Sequence, residues 1–487
     1  MDDRKSARGV FARNFLDEVL GDDEGASISA WFVKATREVI VGCPESIYLN
    51  SFFNFLNEKQ FSYCVMNNYQ GYPMVINSDI DLVVSKSAFD GLDDLIAEFS
   101  RRYDLPVTQR ISHSRDGRAY ILSPFKISQS FRLQLDFCVD YIAKGYYKLL
   151  PAKVVLSTSR PYRNFFIPDP CVEVVFLIMR RVIKNDSSPD KIAEIQGLTN
   201  SSIFSWEKVE LLFDKTIAEF CRSFLARRLV DLALRSIDDR RFLREYSKEI
   251  SGRVFCVKYD LSELWRLSKR AIRPVGICVC FLGPDGCGKS TVMRETSKLL
   301  DGSFHGSRRF YWRPGFLPPF GRLRVWNPSV EISENPHPHR HGRQNSFKSL
   351  VRFTYYFCDF FIGYYFVVFP LLVRKNLICF DRYYYDYFVD MHRYQMNLPK
   401  WLPKLLSSLV PKPSLTFVLS ASPEVMMSRK NELTMEELVR QHNVYRSLVG
   451  KLPNCYLIDS DCSIDEVTTK ISEIVLRHKA LSVARDI

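Results

Sequence analysis

The sequence predicts a multidomain α/β protein: a C-terminal parallel sheet flanked by helices, a smaller N-terminal α/β domain, and a helical bridge between them. A chain of 487 residues is long enough to bury two or three separate cores. Continuous apolar runs at Gly276 to Leu282, Leu377 to Phe380, Leu415 to Leu419 and Cys455 to Ile458 are separated by helical patterns, as buried parallel strands are. Near the N-terminus, Asp79 to Val84 and Arg132 to Val139 alternate at strand period.

The first domain is expected over residues 1–160, with Phe89 to Tyr103 at helical spacing between its strands. Residues 161–270 form the bridge. It holds an apolar run from Val172 to Ile183 after Pro170, a break at Asn185 to Asp190, and one long amphipathic stretch from Trp206 to Leu234. The basic segment Ser268 to Pro274 ends it, and the third domain occupies residues 271–487. There, the Pro/His-rich stretch Asn335 to Ser346 is expected to be a mobile loop. The run Phe353 to Val373 is long enough to span a bilayer. Asp359 inside it would cost about 3 kcal/mol near the bilayer centre, so a buried helix is expected and no transmembrane segment.

Composition narrows the class. With 46 % hydrophobic and 25 % charged residues the chain is globular rather than disordered. Its start, Met1-Asp2-Asp3-Arg4-Lys5, does not read as a secretion signal. The 13 cysteines show no CxxC pair or zinc spacing, which suits free thiols in a reducing cytoplasm. A formal charge of +13 fits anionic partners, but the basic residues are dispersed, so nucleic acid is not expected.

The most informative segment is Gly283-Pro284-Asp285-Gly286-Cys287-Gly288-Lys289-Ser290, which matches GxxxxGK[ST] between a strand and the helical Thr291 to Leu300. Glycines let backbone N–H groups curl around phosphates, and a helix N-terminus adds a favourable dipole. Lys289 is placed to bridge the β and γ phosphates of ATP, and the Ser290 hydroxyl to ligate Mg2+. Cys287, with nothing to pair with it, is expected to be structural.

This loop, with Thr291 after it and Asp285 at an acidic position, resembles that of thymidylate kinases. Asp381-Arg382-Tyr383, after the strand Leu377 to Phe380, resembles that family's Asp-Arg-Tyr motif, and Pro413 to Leu419 with Ser422, Pro423, Glu424, Arg429 and Lys430 resembles its fourth strand and the start of its lid. The resemblance implies a P-loop kinase using ATP and Mg2+. Asp381 would orient either the metal shell or the acceptor, and Arg382 would neutralise phosphate charge. Arg429, Arg440 and Arg446 are candidate lid arginines, since Gly286 stands in the loop where an arginine would otherwise act. Ser420 departs from the family's usual Asp.

Three features point away from thymidylate as acceptor: Arg308, Arg309 and Arg313 with the Pro/His-rich stretch; Asp386, Asp390 and Arg393 at helical spacing; and Asp359 in an aromatic helix.

In Ser78-Asp79-Ile80-Asp81-Leu82-Val83-Val84 two carboxylates project from one strand face, and Asp136 in Gln134-Leu135-Asp136-Phe137 offers a third for a metal. This pattern resembles the nucleotidyltransferase fold of the polymerase-beta type. Asn67-Asn68-Tyr69-Gln70-Gly71 stands where that family carries a Gly-Ser pair.

The pairing with a kinase-like domain resembles bacterial two-domain proteins linked to envelope polysaccharide genes, which implies a small-molecule or glycan phosphate acceptor. The expectation is a cytoplasmic ATP- and Mg2+-dependent phosphotransferase. An ATP-dependent regulatory or assembly module and a nucleic-acid end-processing enzyme are the alternatives, and a homodimer is one oligomeric state left open.

Overall fold

Two five-stranded sheets organise the chain. The structure, a computed structural model, describes residues 44–485 apart from 77, 129, 144–145, 231–236, 321–345 and 431–432. The opening stretch and all of the Pro/His-rich stretch but Ser346 lie outside the described residues.

The first sheet contains β1 (Tyr63–Val65), β2 (Ile80–Val84), β3 (Val107–Ser114), β4 (Gly117–Leu122) and β5 (Leu133–Cys138), in the order β1-β2-β5-β4-β3. Only β2 and β5 pair in parallel, with Asp81 opposite Asp136. The helix Pro44–Glu58 buries Leu49, Phe52, Phe53, Phe55 and Leu56 in this domain's core. The helix expected over Phe89 to Tyr103 is two, Lys86–Asp90 and Leu92–Arg102, because Gly91 leaves helical geometry between them. The hairpin β3–β4 was not expected.

Two ribbons follow, β6 (Tyr141–Ile142) with β7 (Lys148–Leu150) and β8 (Arg160–Tyr162) with β9 (Phe165–Ile167), so the bridge opens on strands rather than helix. Asp169 then caps the buried helix Pro170–Lys184, its side chain accepting from the Cys171 N–H at 3.0 Å. Helices Pro189–Thr199, Trp206–Leu212, Lys215–Val230, Ile237–Ser251 and Arg253–Ile272 complete the segment. The single stretch expected from Trp206 to Leu234 is thus two helices as far as Val230, and 231–234 lie outside the described residues. Asp214 breaks it by capping the second, accepting from the Ile217 N–H at 2.8 Å.

The second sheet is parallel throughout: β10 (Ile277–Leu282), β11 (Gly306–Tyr311), β12 (Asn376–Asp381), β13 (Leu415–Ser420) and β14 (Cys455–Asp459), in the order β11-β12-β10-β13-β14. Every residue of β10 and β12 is buried. Ile277, Val279 and Phe281 join one apolar cluster, whereas Cys278, Cys280 and Leu282 join the other, so the strand is covered on both faces.

The helices Lys289–Leu299 and Ile464–Ala484 pack together, and the latter also packs on β3 of the first sheet. The edge strand β11 was not anticipated. Arg308 and Arg309 lie in it.

The run Phe353 to Val373 belongs to the helix Ser346–Gly363, a π-helical turn Tyr364–Val368, and the short helix Phe369–Val373. It is only partly the buried helix expected. Phe353, Asp359, Phe360 and Gly363 face the core, while Phe361, Ile362, Tyr365 and Phe366 are exposed. Taken over Ser346–Val373, it is long and apolar enough to cross a membrane by length and composition.

Candidate active site

The loop from Gly283 to Gly288 joins the end of β10 to the helix Lys289–Leu299. Two glycines there are sterically required. A Cβ on Gly283, at φ +146°, would stand 2.6 Å from the Leu419 carbonyl oxygen, and one on Gly286, at φ +85°, 2.4 Å from that of Met426. The loop is therefore clamped between the end of β13 and the helix Pro423–Arg429.

Lys289 is buried and lies back over the loop. Its ammonium donates to the carbonyls of Gly283 (2.9 Å) and Pro284 (2.6 Å), with Asp285 at 4.0 Å. Cys287 is fully buried in the core, which raises its thiol, as suits a structural residue. Thr291 follows Ser290 in the first turn.

Asp381 ends β12 opposite Phe281 of β10 and Tyr311 of β11, so the parallel register carries it to the loop. The Ser290 hydroxyl donates to Asp381 Oδ2 at 2.8 Å. Asp381 Oδ1 is buried with no hydrogen-bond partner among the described residues. An unpartnered carboxylate oxygen beside a hydroxyl suits a hard cation such as Mg2+, whose remaining positions phosphate oxygens and water would fill.

Arg382 departs from its expected role. It sits at φ +71°, its N–H donates to the Phe281 carbonyl at 2.9 Å, and its guanidinium is buried. Nη2 donates to Asp285 at 2.6 Å and Nη1 to Asp386 and the Tyr445 hydroxyl, both at 2.9 Å. With two carboxylates and a phenol engaged, it braces the loop rather than facing phosphate. Burial disfavours its charge, yet Asp386, Tyr445 and Asp285 outweigh that and hold its pKa well above the ordinary arginine value.

Asp285 also accepts from Arg393 at 2.5 Å. Burial pushes its carboxyl upward, but Arg382, Lys289 and Arg393 together hold it well below the usual carboxylate range. Asp386, fully buried, accepts from Arg382, from the Tyr394 hydroxyl at 2.7 Å, and from the Tyr445 hydroxyl. Asp386 and Arg393 lie on two short 3-10 turns with Asp390 in the connection between them, not on one α-helical face.

Of the expected lid arginines, Arg429 and Arg446 are exposed on helices Pro423–Arg429 and Met435–Arg446, while Arg440 is engaged by Glu437 and the Val389 carbonyl. Ser420 pairs with His442 Nε2 at 2.7 Å. Asp359 accepts from Arg313 Nη1 (2.5 Å) and from the N–H groups of Gly315 (3.1 Å) and Leu317 (2.7 Å). It ties down the loop after β11 and offers nothing to an acceptor. Trp312 opens that loop. Its N–H donates to the Asp381 carbonyl at 2.8 Å and its ring stacks on Tyr394 at 4.2 Å. Trp312 Nε1, the Tyr387 hydroxyl and Arg352 Nε are buried without hydrogen-bond partners among the described residues.

The carboxylates of the first sheet converge, but not as a metal site. The Gln134 amide donates to Asp79 and Asp136, both at 2.9 Å; Asp79 also pairs with Arg132, and Asp81 with Arg180 at 3.5 Å. Among the described residues no set of three carboxylate, His or Cys side chains is placed to hold a metal ion. Burial, and then Asp79 and Asp81, push the Asp136 carboxyl up to about 7, against a lowering by Gln134. The pKa of Asp81 is raised too, chiefly by burial.

No family model matches the chain, and no curated protein matches it. Among solved structures it is similar to the thymidylate kinase of Candida albicans, at 21 % identity over 42 % of this chain and 93 % of that one, with a TM-score of 0.32. It is also similar to the thymidylate kinase of Ehrlichia chaffeensis, at 19 % identity over 41 % and 98 %, with a TM-score of 0.28. Likeness at this level carries no statement about activity. The residues themselves make the C-terminal site a GxxxxGK[ST] glycine loop joined to an acidic strand end on a parallel α/β sheet.

Proposed function

We propose that the C-terminal domain is an ATP- and Mg2+-dependent phosphotransferase whose acceptor is a sugar or glycan rather than thymidylate. The observation that carries the transferase reading is the Ser290–Asp381 contact, with Asp381 Oδ1 unpartnered, beside the ammonium of Lys289. In this reading the loop N–H groups and the helix start hold the phosphates, and Lys289 exchanges the carbonyls of Gly283 and Pro284 for β and γ oxygens. Magnesium held by Ser290 and Asp381 would neutralise charge on the phosphates. Arg382 and Arg393 fix Asp285, and with it the loop, so that this geometry is set before the nucleotide arrives.

Support for the acceptor reading is local. Trp312, Tyr356, Tyr387 and Tyr394 form an aromatic wall next to Asp381. Three buried donors there have no hydrogen-bond partners among the described residues, which suits a ligand rich in acceptor oxygens. The test is competition. With γ-labelled ATP and an equimolar mixture of thymidylate, sugars, sugar phosphates and glycan fragments, label should enter a sugar or glycan. Label entering thymidylate alone would overturn the acceptor reading and leave the transferase reading standing.

A further inference from the structure

The helix Ser346–Gly363 is apolar on all sides, yet only one side is covered. Ser349, Phe353, Phe360 and Gly363 are buried against the core. On the opposite side Phe347, Leu350, Val351, Phe361, Ile362, Tyr365 and Phe366 stand in solvent, and their spacing puts them in one stripe along the helix and the π turn. Tyr365 and Phe366 are 52 % and 68 % exposed, more than a soluble surface ordinarily shows for neighbouring aromatics. A second apolar patch lies nearby: Trp401 and Leu405, one turn apart and 62 % and 64 % exposed on the helix Trp401–Leu406. The two helices share Tyr384, whose ring meets Phe353, Phe357 and Phe360 and whose hydroxyl donates to the Pro403 carbonyl at 2.9 Å.

The charges around these stripes have one sign. Between Ser346 and Asn376 the exposed cations are Lys348 and Arg374, since Arg352 is engaged by Gln395 and Lys375 is half-buried near Arg270 and Asp136, and the single acid, Asp359, is buried under the loop after β11. Between Pro399 and Pro413 there are Lys400, Lys404 and Lys412 and no acid. A second copy docked symmetrically on this face would set these cations against themselves, with no exposed carboxylate in either segment to pair them. A bilayer surface carrying anionic headgroups meets both requirements, apolar depth for the aromatic stripe and negative charge for the lysines at its margin. The helix cannot leave the protein to span the bilayer without uncovering Phe353, Asp359 and Phe360, so it would lie along the surface.

We infer that the exposed face of Ser346–Val373, with Trp401–Leu406 beside it, docks the protein on an anionic membrane surface. The full-length protein should float with phosphatidylcholine vesicles containing phosphatidylglycerol, far less with phosphatidylcholine alone, and less as salt rises. Phe361→Ser with Tyr365→Ser should weaken flotation about tenfold or more, and so should Lys400→Glu with Lys404→Glu, with melting temperatures unchanged. On the anionic vesicles the emission of the native protein should shift to the blue, and Trp401→Ser should lose that shift. Absence of the native protein from the anionic vesicles, or flotation unaffected by both variants, would overturn the inference. So would sedimentation showing a dimer that Phe361→Ser with Tyr365→Ser splits, without any lipid binding.

Discussion

The Ser290 hydroxyl and the Asp381 carboxylate meet at 2.8 Å across 91 positions of sequence, joining the first turn of the helix after the loop to the end of the neighbouring strand. Replacing Asp381 with Asn keeps the shape and removes the charge. Turnover should fall by about 10²–10³-fold, while affinity for ATP changes by less than about tenfold. Steady-state rates paired with equilibrium ATP titration check this, and equal losses in both would assign Asp381 to ground-state binding.

The buried group around Asp386 should be structural in its effect. Asp386→Ala takes from the buried Arg382 Nη1 its carboxylate partner and leaves the hydroxyls of Tyr394 and Tyr445 without their acceptor, at a cost of about 3–5 kcal/mol. Tyr445→Phe removes one donor to a charged group and should cost about 1.5–3 kcal/mol. Urea midpoints at constant slope measure both.

Asp136 should make stability depend on pH with a definite sign. Its carboxyl is pushed up to about 7 in the folded chain, so it holds its proton there up to a pH at which an unfolded aspartate, titrating near 4, has already lost it. Between those values the folded state binds more protons and this contribution falls as pH rises. His113, lowered to about 4 mainly by burial and then by Lys375, Arg270 and Arg266, acts oppositely in an overlapping window. His113 Nε2 stands 3.8 Å from Asp136 Oδ2, so the comparison is made with His113 replaced by Gln in both proteins. The melting temperature of His113→Gln with Asp136→Asn relative to His113→Gln alone should climb from pH 4 to pH 7 and level off above.

Asp359→Ala should release the loop it ties through Arg313, Gly315 and Leu317. Limited proteolysis should nick the variant near Gly315 well before the native chain, with a stability loss of about 3–5 kcal/mol.

The parts of this site that lie along one local stretch were legible in the sequence. Strand, glycine loop and helix follow each other from Gly276 to Leu300, and Asp381 closes an apolar run whose burial on both faces is itself the signal of a parallel strand. What pairs across distance was not. Arg393 and Asp285 are 108 positions apart, and Tyr445 and Asp386 are 59, so no spacing rule joins them. The edge strand β11 escaped notice because Ser307, Arg308 and Arg309 face solvent and leave no apolar alternation. Between Phe353 and Val373 composition shows a helix apolar all round but not which side meets water. The carboxylates of Asp79, Asp81 and Asp136 share a face as their alternation implies, but that Gln134 and Arg132 at β5 and the distant Arg180 engage them follows from no spacing rule.

The central claim rests on Lys289, whose ammonium lies over the loop at 2.9 Å and 2.6 Å from two carbonyls it would leave for phosphate. The most direct measurement is transfer of the labelled γ-phosphoryl group of ATP to a panel of sugars, sugar phosphates, glycan fragments and nucleoside monophosphates, run in parallel on the native protein and Lys289→Ala. The account predicts saturable, magnesium-dependent labelling of an acceptor by the native protein and a loss of about 10²-fold or more in a variant that melts at the same temperature. Labelling as fast in Lys289→Ala as in the native protein, or tight ATP binding by the native protein with no labelled acceptor, would contradict it.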